Sequence, residues 1–229
     1  MPSATSAASD TSHIAQIQSR SFRDQVRRGL EAALVAGELR PGELYSAPVL
    51  AERFGVSATP VREAMLALAK DGFVVAERNR GFRVVEMSET DLDEISQIRV
   101  LLEVPSTVEV ARIISASDLK RVGAIADEIV AAAARGDLID YLDSDRRFHV
   151  ALISQLGNAR LTELVDRLRL QTRLYGLGKL VETGRLVASA EEHQELLETM
   201  RTKDAAATER VIGSHIKHVR GLWVGHEEA

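Results

Sequence analysis

Apolar residues recur at helical spacing near the N-terminus and predict the first element. They share one face of a helix over Phe22–Ala36, namely Phe22, Val26, Leu30, Ala33 and Leu34. Glycine and proline in the segment from Gly37 to Gly42 end this helix. An amphipathic helix of this kind must cover its apolar face with later parts of the chain.

Two further helices and a hairpin are predicted next. A short helix over Val49–Phe54 is followed by a turn at Gly55-Val56, and Ser57 is a suitable N-cap for a helix that reaches Lys70. After Asp71-Gly72, the pattern changes to two short strands, Phe73–Ala76 and Phe82–Val85, around Arg78-Asn79-Arg80-Gly81. The order of helix, helix, tight turn, helix and hairpin is that of a winged helix-turn-helix.

The remainder of the chain shows helical patterns only. The first of its helices is capped by Ser88 and contains Pro105, where we expect a kink, and the second is capped by Ser117. The predicted ranges are Glu89–Ile114, a helix from Ser117 to Arg135, Leu138–Leu156, Ala159–Tyr175, a loop over Gly176–Gly184, Ala188–Met200 and Ala205–Val224. The fold class is therefore mainly α, with an N-terminal winged helix-turn-helix domain and a C-terminal all-α helical bundle.

Composition sets the limits on what such a chain can do. Its 229 residues are 45% hydrophobic and include no cysteine, which allows a packed core but excludes disulfides and thiolate metal sites. No segment approaches the length of a membrane span, and residues 1–18 lack the features of a signal peptide. We therefore divide the chain into a disordered tail at 1–18, a DNA-binding domain at 19–86 and a helical domain at 87–229, and we expect a cytoplasmic protein without membrane contact.

The net charge of −5 argues against DNA binding until it is divided by domain. Residues 19–86 hold 11 Lys and Arg against 9 Asp and Glu, whereas residues 87–229 hold 18 against 24. The basic excess lies in the N-terminal part only, and it is small. Charge alone would not have identified a DNA contact, so the prediction depends on the motif.

The helix that follows Ser57 has one buried face and one outward face. Val61, Ala64, Met65 and Leu68 must be buried, which turns Thr59 and Arg62 outward. The helix N-terminus, with Ser57 and the Thr59 hydroxyl, can meet a phosphate, and Arg62 can reach a guanine edge or a phosphate. On the hairpin, Arg78, Arg80 and Arg83 suit the minor groove or the DNA backbone. Arg53 is a weaker backbone candidate, because a solvated surface charge explains it equally well.

Residues 37–85 resemble the DNA-binding domain of the GntR superfamily. The resemblance is carried by Pro-Gly at 41–42, LAERFGVS at 50–57, TPVREA at 59–64 and the glycine-tipped hairpin. It implies a transcription regulator. Because one recognition helix contacts few bases, we also expect a homodimer on a palindromic operator, with the helical C-terminal domain as the dimer surface. The chain has Ala58 where the family usually has Arg, and it lacks the usual acidic residue near Ala47-Pro48. We therefore expect an operator that differs from the commonest sites of the family.

Four polar side chains lie on apolar stripes of three helices in the C-terminal part. Asp145 and His149 are four residues apart on one stripe, His193 lies with Leu196, Leu197 and Met200, and His215 lies with Val211 and Ile212. A lone buried histidine is usually a hydrogen-bonded core residue, and Asp145 and His149 could simply pair with each other. Four such residues together favour a divalent metal site instead, for Zn²⁺, Ni²⁺ or Mn²⁺.

Residues 88–223 resemble the FCD ligand-binding domain of FadR-type GntR regulators. The matching residues are Asp145-x-x-x-His149, Glu192-His193 and His215-Ile216. In metal-bearing members the four matching residues ligate the ion, and members that bind acyl-CoA lack the set. The resemblance also implies that Arg99, in Arg99-x-x-x-Glu103, lines a cavity for a small carboxylate effector. An internal ion pair with Glu103 is an equally good explanation of Arg99.

The sequence therefore predicts a DNA-binding repressor that responds to a small organic acid at a metal site. Two alternatives remain open at this point. The metal ion itself could be the signal, or the metal could serve an enzyme. The attached DNA-reading domain and the absence of an obvious general base beyond the ligands favour a regulator over an enzyme.

Overall fold

A computed structural model describes residues 22–172 and 184–224 of the chain. The predicted tail at 1–18, the loop at 176–183 and the end of the helix predicted to reach Tyr175 lie outside the described residues. Within them, the predicted helices and both predicted strands are present, and a third short strand that was not predicted joins the small antiparallel sheet near the N-terminus. None of the described helices has the length and apolarity that crossing a bilayer requires.

The N-terminal part is a winged helix-turn-helix. Its elements are α1 (Phe22–Val35), β1 (Leu44–Tyr45), α2 (Ala47–Phe54), α3 (Ala58–Lys70), β2 (Val74–Glu77) and β3 (Gly81–Val84). The strands form one antiparallel sheet in the order β1-β3-β2. The wing is therefore three-stranded, because Leu44 and Tyr45 pair with Arg83 and Phe82.

The tight turn between α2 and α3 results from its capping residues. The Ser46 hydroxyl accepts a hydrogen bond from Val49 N at the start of α2. Gly55 ends α2 at φ 65°, a left-handed conformation that glycine adopts at least cost. Ser57 then stands at the N-cap of α3, and its side chain makes no capping hydrogen bond. The N-terminal turn of α3 consequently keeps its backbone N–H groups for an outside partner.

The wing requires glycine at one position. Gly81 has φ 136°, and a Cβ there would lie 2.4 Å from the carbonyl oxygen of Tyr45. Any other residue would push β3 away from β1. Asn79, in the turn before it, adopts φ 60°, which asparagine tolerates better than most residues. Gly81 thus lets the hairpin approach β1 closely.

The C-terminal part consists of helices. They are α4 (Glu89–Ile113), α5 (Ala116–Arg135), α6 (Leu138–Ser154), α7 (Ala159–Thr172), α8 (Leu186–Arg201) and α9 (Ala205–Val224). Ser88 and Asp91 form a capping box at the start of α4, which confirms the predicted N-terminus. Pro105 lies inside α4, and the helix continues through it.

Several element boundaries differ from the predicted ones by one or two residues. Ser115, rather than Ser117, caps α5, because its hydroxyl accepts from Asp118 N. Helix α2 begins at Ala47 instead of Val49, since Ser46 is its cap. The two predicted strands are each displaced by one residue, α6 ends at Ser154, and α8 begins at Leu186.

Two hydrophobic cores organise the described residues. One core joins α4, α5, α6, α8 and α9, and the other joins α1, α2, α3 and the sheet. Leu170 of α7 is buried in the second core, although α7 otherwise belongs to the C-terminal part. Arg28 of α1 also forms an ion pair with Asp140 of α6. The DNA-reading domain and the helical domain are therefore in direct contact through α6 and α7.

Candidate metal centre and nucleic-acid interface

Asp145, His149, His193 and His215 come together in the helical domain. Each offers one ligand atom, and these atoms all lie within 4.8 Å of one another. The three histidines are buried, with exposed fractions of 1 to 3%, whereas the Asp145 side chain is 19% exposed. Helices α6, α8 and α9 supply the four residues, as their positions on apolar stripes predict. Asp145 is less buried than its stripe suggests.

The distances in this cluster fit one ion. His149 Nε2 and His193 Nε2 are 3.2 Å apart, and Asp145 Oδ1 lies 3.0 Å from His193 Nε2 and 3.7 Å from His149 Nε2. Two nitrogens bound to one zinc at the usual bond length and the tetrahedral angle are about 3.3 Å apart. A single ion could therefore contact all three atoms with small adjustments.

The outer nitrogens of two histidines assign their tautomers. His193 Nδ1 lies 3.1 Å from the carbonyl oxygen of Ala190, and His215 Nδ1 lies 2.7 Å from Glu192 Oε2. Both partners are acceptors, so each Nδ1 carries a proton, and in the neutral form of each ring the Nε2 lone pair points into the cluster. Metal-bound histidines in proteins are held by hydrogen bonds of this kind.

With neutral rings in these tautomers, acceptor atoms in the cluster face one another with no proton or cation between them. The Nε2 lone pair of His193 faces Asp145 Oδ1, which is also an acceptor, so the two repel unless a proton or a cation lies between them. His215 Nε2 is buried and has no hydrogen-bond partner among the described residues. A buried polar atom without a partner is costly. A divalent ion would satisfy both atoms at once, and the donor set therefore fits a metal.

Burial and neighbouring charges favour the protonation states of His149, His215 and Asp145 that a metal needs. Burial lowers the pKa of His149 well below its ordinary value, with a further contribution from the charge of Arg169. Burial also lowers the pKa of His215. Burial opposes ionisation of Asp145, but a hydrogen bond donated by a proton on His193 Nε2, where a metal would otherwise lie, and the charge of Arg169 lower the pKa of its carboxyl below the ordinary value. Neutral histidines and an ionised aspartate are the forms that bind metals.

Two buried arginines and a buried glutamate lie directly behind the cluster. Arg99 Nε donates to Glu103 Oε1 over 2.7 Å, and Arg169 Nε donates to Glu103 Oε2 over 2.8 Å. Arg169 Nη1 also donates to Asp145 Oδ2 over 3.2 Å. The internal pair of Arg99 and Glu103, one of the two explanations open from the sequence, is therefore present. Arg99 also contributes to lowering the pKa of His149, so its charge acts on the cluster.

Sequence reasoning missed Arg169, although a signal was available. Arg169 lies beside Leu168 and four residues after Val165, within the buried face of α7. The same inward helical spacing had singled out Arg99 on α4. Glu192 was noted only as the neighbour of His193, whereas it holds both His215 and, through Oε1, the exposed His218.

The predicted DNA-reading residues of α3 lie on its outward face. Ser57, Thr59 and Arg62 are exposed, while Val61, Ala64, Met65 and Leu68 are fully buried. Within the described part of the chain, no acidic side chain pairs with Arg62. This helix therefore presents a hydroxyl, open N–H groups and a guanidinium at one end.

The arginines of the wing and of α2 have different surroundings. Arg78 is exposed, and Arg80, also exposed, pairs with Glu77 over 2.7 Å. Arg83 is held against the sheet, because it donates to Glu77 Oε1 and to the carbonyl oxygen of Gly42, each over 2.6 Å. Arg53 lies 3.6 Å from Glu38 and is half exposed. Among the arginines proposed for the wing, Arg83 thus has a structural contact that the sequence did not predict.

A winged helix-turn-helix domain in contact with a helical bundle that holds a candidate metal cluster is the architecture of a two-domain DNA-binding transcription regulator. Comparison with known families agrees. Residues 22–84 match the family model for bacterial regulatory proteins of the gntR family, and residues 94–218 match the model for the FCD domain. The chain belongs to the GntR family of regulators and carries an FCD domain; it is a DNA-binding transcription regulator and not an enzyme.

Individual relatives support this assignment along most of the chain. The chain is 29% identical to the HTH-type transcriptional regulator McbR of Escherichia coli K12 over 182 residues, covering 79% of this chain and 82% of McbR. It is 24% identical over 196 residues to the HTH-type transcriptional repressor RspR of the same organism, covering 85% and 86%. The solved structure of E. coli McbR/YncC superposes with a TM-score of 0.68 at 26% identity, covering 90% of this chain and 99% of that one.

Proposed function

We propose that the protein binds a palindromic operator as a homodimer, and that a small organic acid bound at a divalent metal ion controls its affinity for DNA. The observation that supports the metal site best is the pair of histidine tautomers. The Nε2 lone pairs of His193 and His215 point into one buried space that also contains Asp145 Oδ1. A proton on His193 Nε2 or a bound cation would remove the repulsion between His193 Nε2 and Asp145 Oδ1, but a divalent ion would also satisfy the buried His215 Nε2.

The donor set restricts the choice of metal. Three imidazoles and one carboxylate suit Zn²⁺, Ni²⁺ and Mn²⁺ better than Ca²⁺ or Mg²⁺. Four protein ligands would close a tetrahedral zinc site. A site that also receives a ligand must expand to five or six positions, which favours Ni²⁺, Mn²⁺ or a distorted Zn²⁺.

The charge balance around the cluster favours an anionic effector. The charges of Arg99 and Arg169 cancel those of Glu103 and Asp145, and these four groups are in contact as ion pairs. A divalent ion would then add two positive charges, of which Glu192 offsets one. Buried charge without compensation is costly. A carboxylate that binds the ion, with Arg99 close by, would supply the remaining negative charge.

The direction of regulation and the place of action follow from the same proposal. RspR, which is similar over most of its length, is described as a repressor, and we propose that this chain also represses its target genes. A bacterial regulator must meet the chromosome, so we expect it to act in the cytoplasm. A metal-sensing regulator, in which the ion itself is the signal, is the second candidate, because four protein donors suffice to hold a zinc ion.

Replacing the ligands tests the metal site. We expect His149→Ala and His193→Ala to abolish stoichiometric metal in protein expressed with added Zn²⁺, Ni²⁺ or Mn²⁺, as measured by elemental analysis. They should also lose the thermal stabilisation that the ion gives to wild-type protein, about 2.7 kcal/mol at a hundredfold excess over Kd. His218→Ala is the matched control, because His218 is exposed and lies outside the cluster. Metal retained in the double variant His149→Ala/His193→Ala would refute the site.

A second measurement separates an effector-responsive regulator from a metal sensor. Metal-loaded protein is titrated with acetate, succinate and malate, and the shift in melting temperature is recorded. Arg99→Gln should keep the metal and lose the shift. If no acid shifts the melting temperature while metal removal changes DNA affinity, the ion itself is the signal.

A further inference from the structure

Two neighbouring residues at the C-terminal end of α7 lie in different hydrophobic surroundings. Arg169 is 4% exposed and contacts Glu103 and Asp145 behind the metal cluster. Leu170, the next residue, is 7% exposed and belongs to the core of the DNA-reading domain, together with Val26, Leu68 and Phe73. One helical turn therefore touches both the candidate metal centre and the core that supports α3.

The two carboxylate oxygens of Asp145 have different partners, because Arg169 binds only one of them. Its Nη1 donates to Asp145 Oδ2, while Oδ1 faces the histidines at 3.0 and 3.7 Å. Its Nε and Nη2 both donate to Glu103 Oε2, and Glu103 is in turn held by Arg99. The carboxylate of Asp145 is thus oriented by a guanidinium that is itself held by a buried ion pair with Glu103. Removing one partner of a buried pair is strongly unfavourable.

An ion that binds Asp145 Oδ1 must act on this arrangement. Any rotation or shift of the carboxylate displaces Oδ2, and Arg169 follows to keep its hydrogen bond. A helix is stiff over one turn, so a displacement that reaches the backbone at Arg169 also moves Leu170. Packed cores resist small continuous deformations and respond by shifting whole elements. Such a shift would reach α1 and α3 through the contact of Leu170 with the N-terminal core.

Within the described residues, the ion pair that joins the two domains is a weaker connection than the buried contact of Leu170. Arg28 and Asp140 pair across the same boundary, but their side chains are 35% and 37% exposed. Exposed ion pairs contribute little and are screened by salt. A buried apolar contact is the better candidate for transmitting a structural change.

We propose that the C-terminal turn of α7 couples the metal centre to the DNA-reading domain, with Arg169 as a positioning residue for Asp145 and Leu170 as the contact that carries the change. This inference rests on the proposed metal site. It goes further, because it names the residues through which an occupied site would reach the DNA-binding surface.

The positioning role is tested with Arg169→Lys, for which Arg167→Lys is the matched control. Arg167 lies on the same helix, is 69% exposed and pairs only with Glu163 among the described residues. A lysine ammonium keeps the charge but cannot span Glu103 and Asp145. We expect Zn²⁺ affinity, measured by competition with a chromogenic chelator, to fall about 10- to 100-fold in Arg169→Lys and to stay unchanged in the control.

Two readouts distinguish positioning from general support of the fold. The visible spectrum of the Co²⁺-loaded protein should change in Arg169→Lys, because Asp145 binds in another orientation. In an Asp145→Asn background, Arg169→Lys should have no further effect on Zn²⁺ affinity, since the group that it positions is gone. Wild-type Zn²⁺ affinity and an unchanged Co²⁺ spectrum in Arg169→Lys would overturn the positioning role.

The coupling is tested by hydrogen exchange on the full chain, with and without Zn²⁺. In wild-type protein and in Leu164→Ala, an exposed leucine of the same helix, Zn²⁺ should slow exchange around α6 and α8 and alter it within residues 22–84. In Leu170→Ala, Zn²⁺ should slow hydrogen exchange around α6 and α8 but leave exchange within residues 22–84 unchanged. Leu170→Val, which leaves a smaller cavity, should give an intermediate response and covers the case in which Leu170→Ala does not fold.

The outcomes separate this inference from the proposed function. Exchange in residues 22–84 that responds to Zn²⁺ equally in wild-type protein and both Leu170 variants would overturn the coupling. So would wild-type protein that binds Zn²⁺ without any change in those residues, although the metal site would then stand. Wild-type protein that binds no Zn²⁺ in the chelator assay would overturn the metal site itself, and the coupling with it.

Discussion

At the scale of single residues, the surroundings of each arginine separate its possible roles. Arg62 projects from the N-terminal half of α3 without an acidic partner among the described residues. Arg83 lies on the wing but donates both to Glu77 and to the Gly42 carbonyl. Arg169 is buried between two carboxylates. The exposed guanidinium of Arg62 is available to DNA, whereas Arg83 and Arg169 stabilise the structure around them.

This contrast makes Arg62 the residue to test for DNA reading. We expect Arg62→Ala to weaken binding to an operator selected from genomic DNA by about 1–3 kcal/mol if the guanidinium reads a base. The free energy of unfolding, measured by thermal melting, should change by less than about 0.5 kcal/mol, because the side chain is exposed and contributes no core contact. Fluorescence anisotropy with the labelled operator measures the loss.

Lys70→Ala is the matched control for Arg62→Ala. Lys70 is also an exposed cation of α3, but it lies at the opposite end of the helix. Its removal should leave the affinity for the operator nearly unchanged. Equal losses in the two variants would mean that general charge, rather than contact by Arg62, determines binding.

At the scale of elements, three helices hold the candidate ligands at fixed positions. Helix α6 supplies Asp145 and His149 from one face, because residues four apart are stacked along a helix. Helices α8 and α9 each supply one histidine, and Glu192 of α8 holds His215 of α9. The cluster is buried among these helices, which makes the stability of the domain depend on the protonation of its histidines.

We therefore expect the metal-free protein to lose stability as the pH falls below about 6.5, the usual pKa of histidine in an unfolded chain. The pKa of His149 and that of His215 are lowered by burial in the folded state. Between the lowered and the ordinary pKa, the unfolded chain takes up protons that the folded chain refuses. The free energy of unfolding should fall by at most about 1.4 kcal/mol per pH unit for each such histidine.

Urea unfolding of chelator-treated protein between pH 7.5 and 5.0 measures this dependence. His149→Gln should make it shallower, since one of the two groups is removed. The lowered pKa of Asp145 acts below about 3.9, the ordinary value, and does not affect this range. Stability that rises as the pH falls from 6.5 would contradict the assignment of neutral, buried histidines.

At the scale of the whole molecule, one recognition helix contacts too few bases for high specificity. Helix-turn-helix proteins solve this by pairing two half-sites one turn of DNA apart. Helix α4 carries two exposed aliphatic residues three positions apart, Ile98 and Leu101, with exposed fractions of 43% and 73%. They lie on the outer side of the helix whose inner side bears Arg99 and Glu103. A second copy of the chain is the partner that we propose for this surface.

We expect Leu101→Glu to convert the dimer into a monomer, because it places a charge in an apolar contact. Sedimentation velocity without DNA measures the change, and affinity for a two-site operator should fall in parallel. Val187→Glu, at another exposed aliphatic residue of the helical domain, should remain dimeric. A wild-type monomer that binds a site without repeats would contradict the dimer, and a dimeric Leu101→Glu protein would place the contact elsewhere.

Local patterns in the sequence were sufficient for the element types and for most of the candidate site. The apolar period predicted every described helix, and the four candidate ligands were found because each interrupts an apolar stripe. The outward position of Thr59 and Arg62 followed from the buried face of the same helix. Such features depend on residues one to four positions apart, which the helical period relates directly.

Features that depend on the approach of distant segments required the tertiary structure. The two-residue strand β1 is too short to show a period, and it exists because Gly81 lets β3 approach Tyr45. The tautomers of His193 and His215, the contacts of Arg169 and the burial of Leu170 in the other core all join residues that are far apart in sequence. A periodic pattern states which face a residue occupies, but only the packing of helices determines which residue lies opposite.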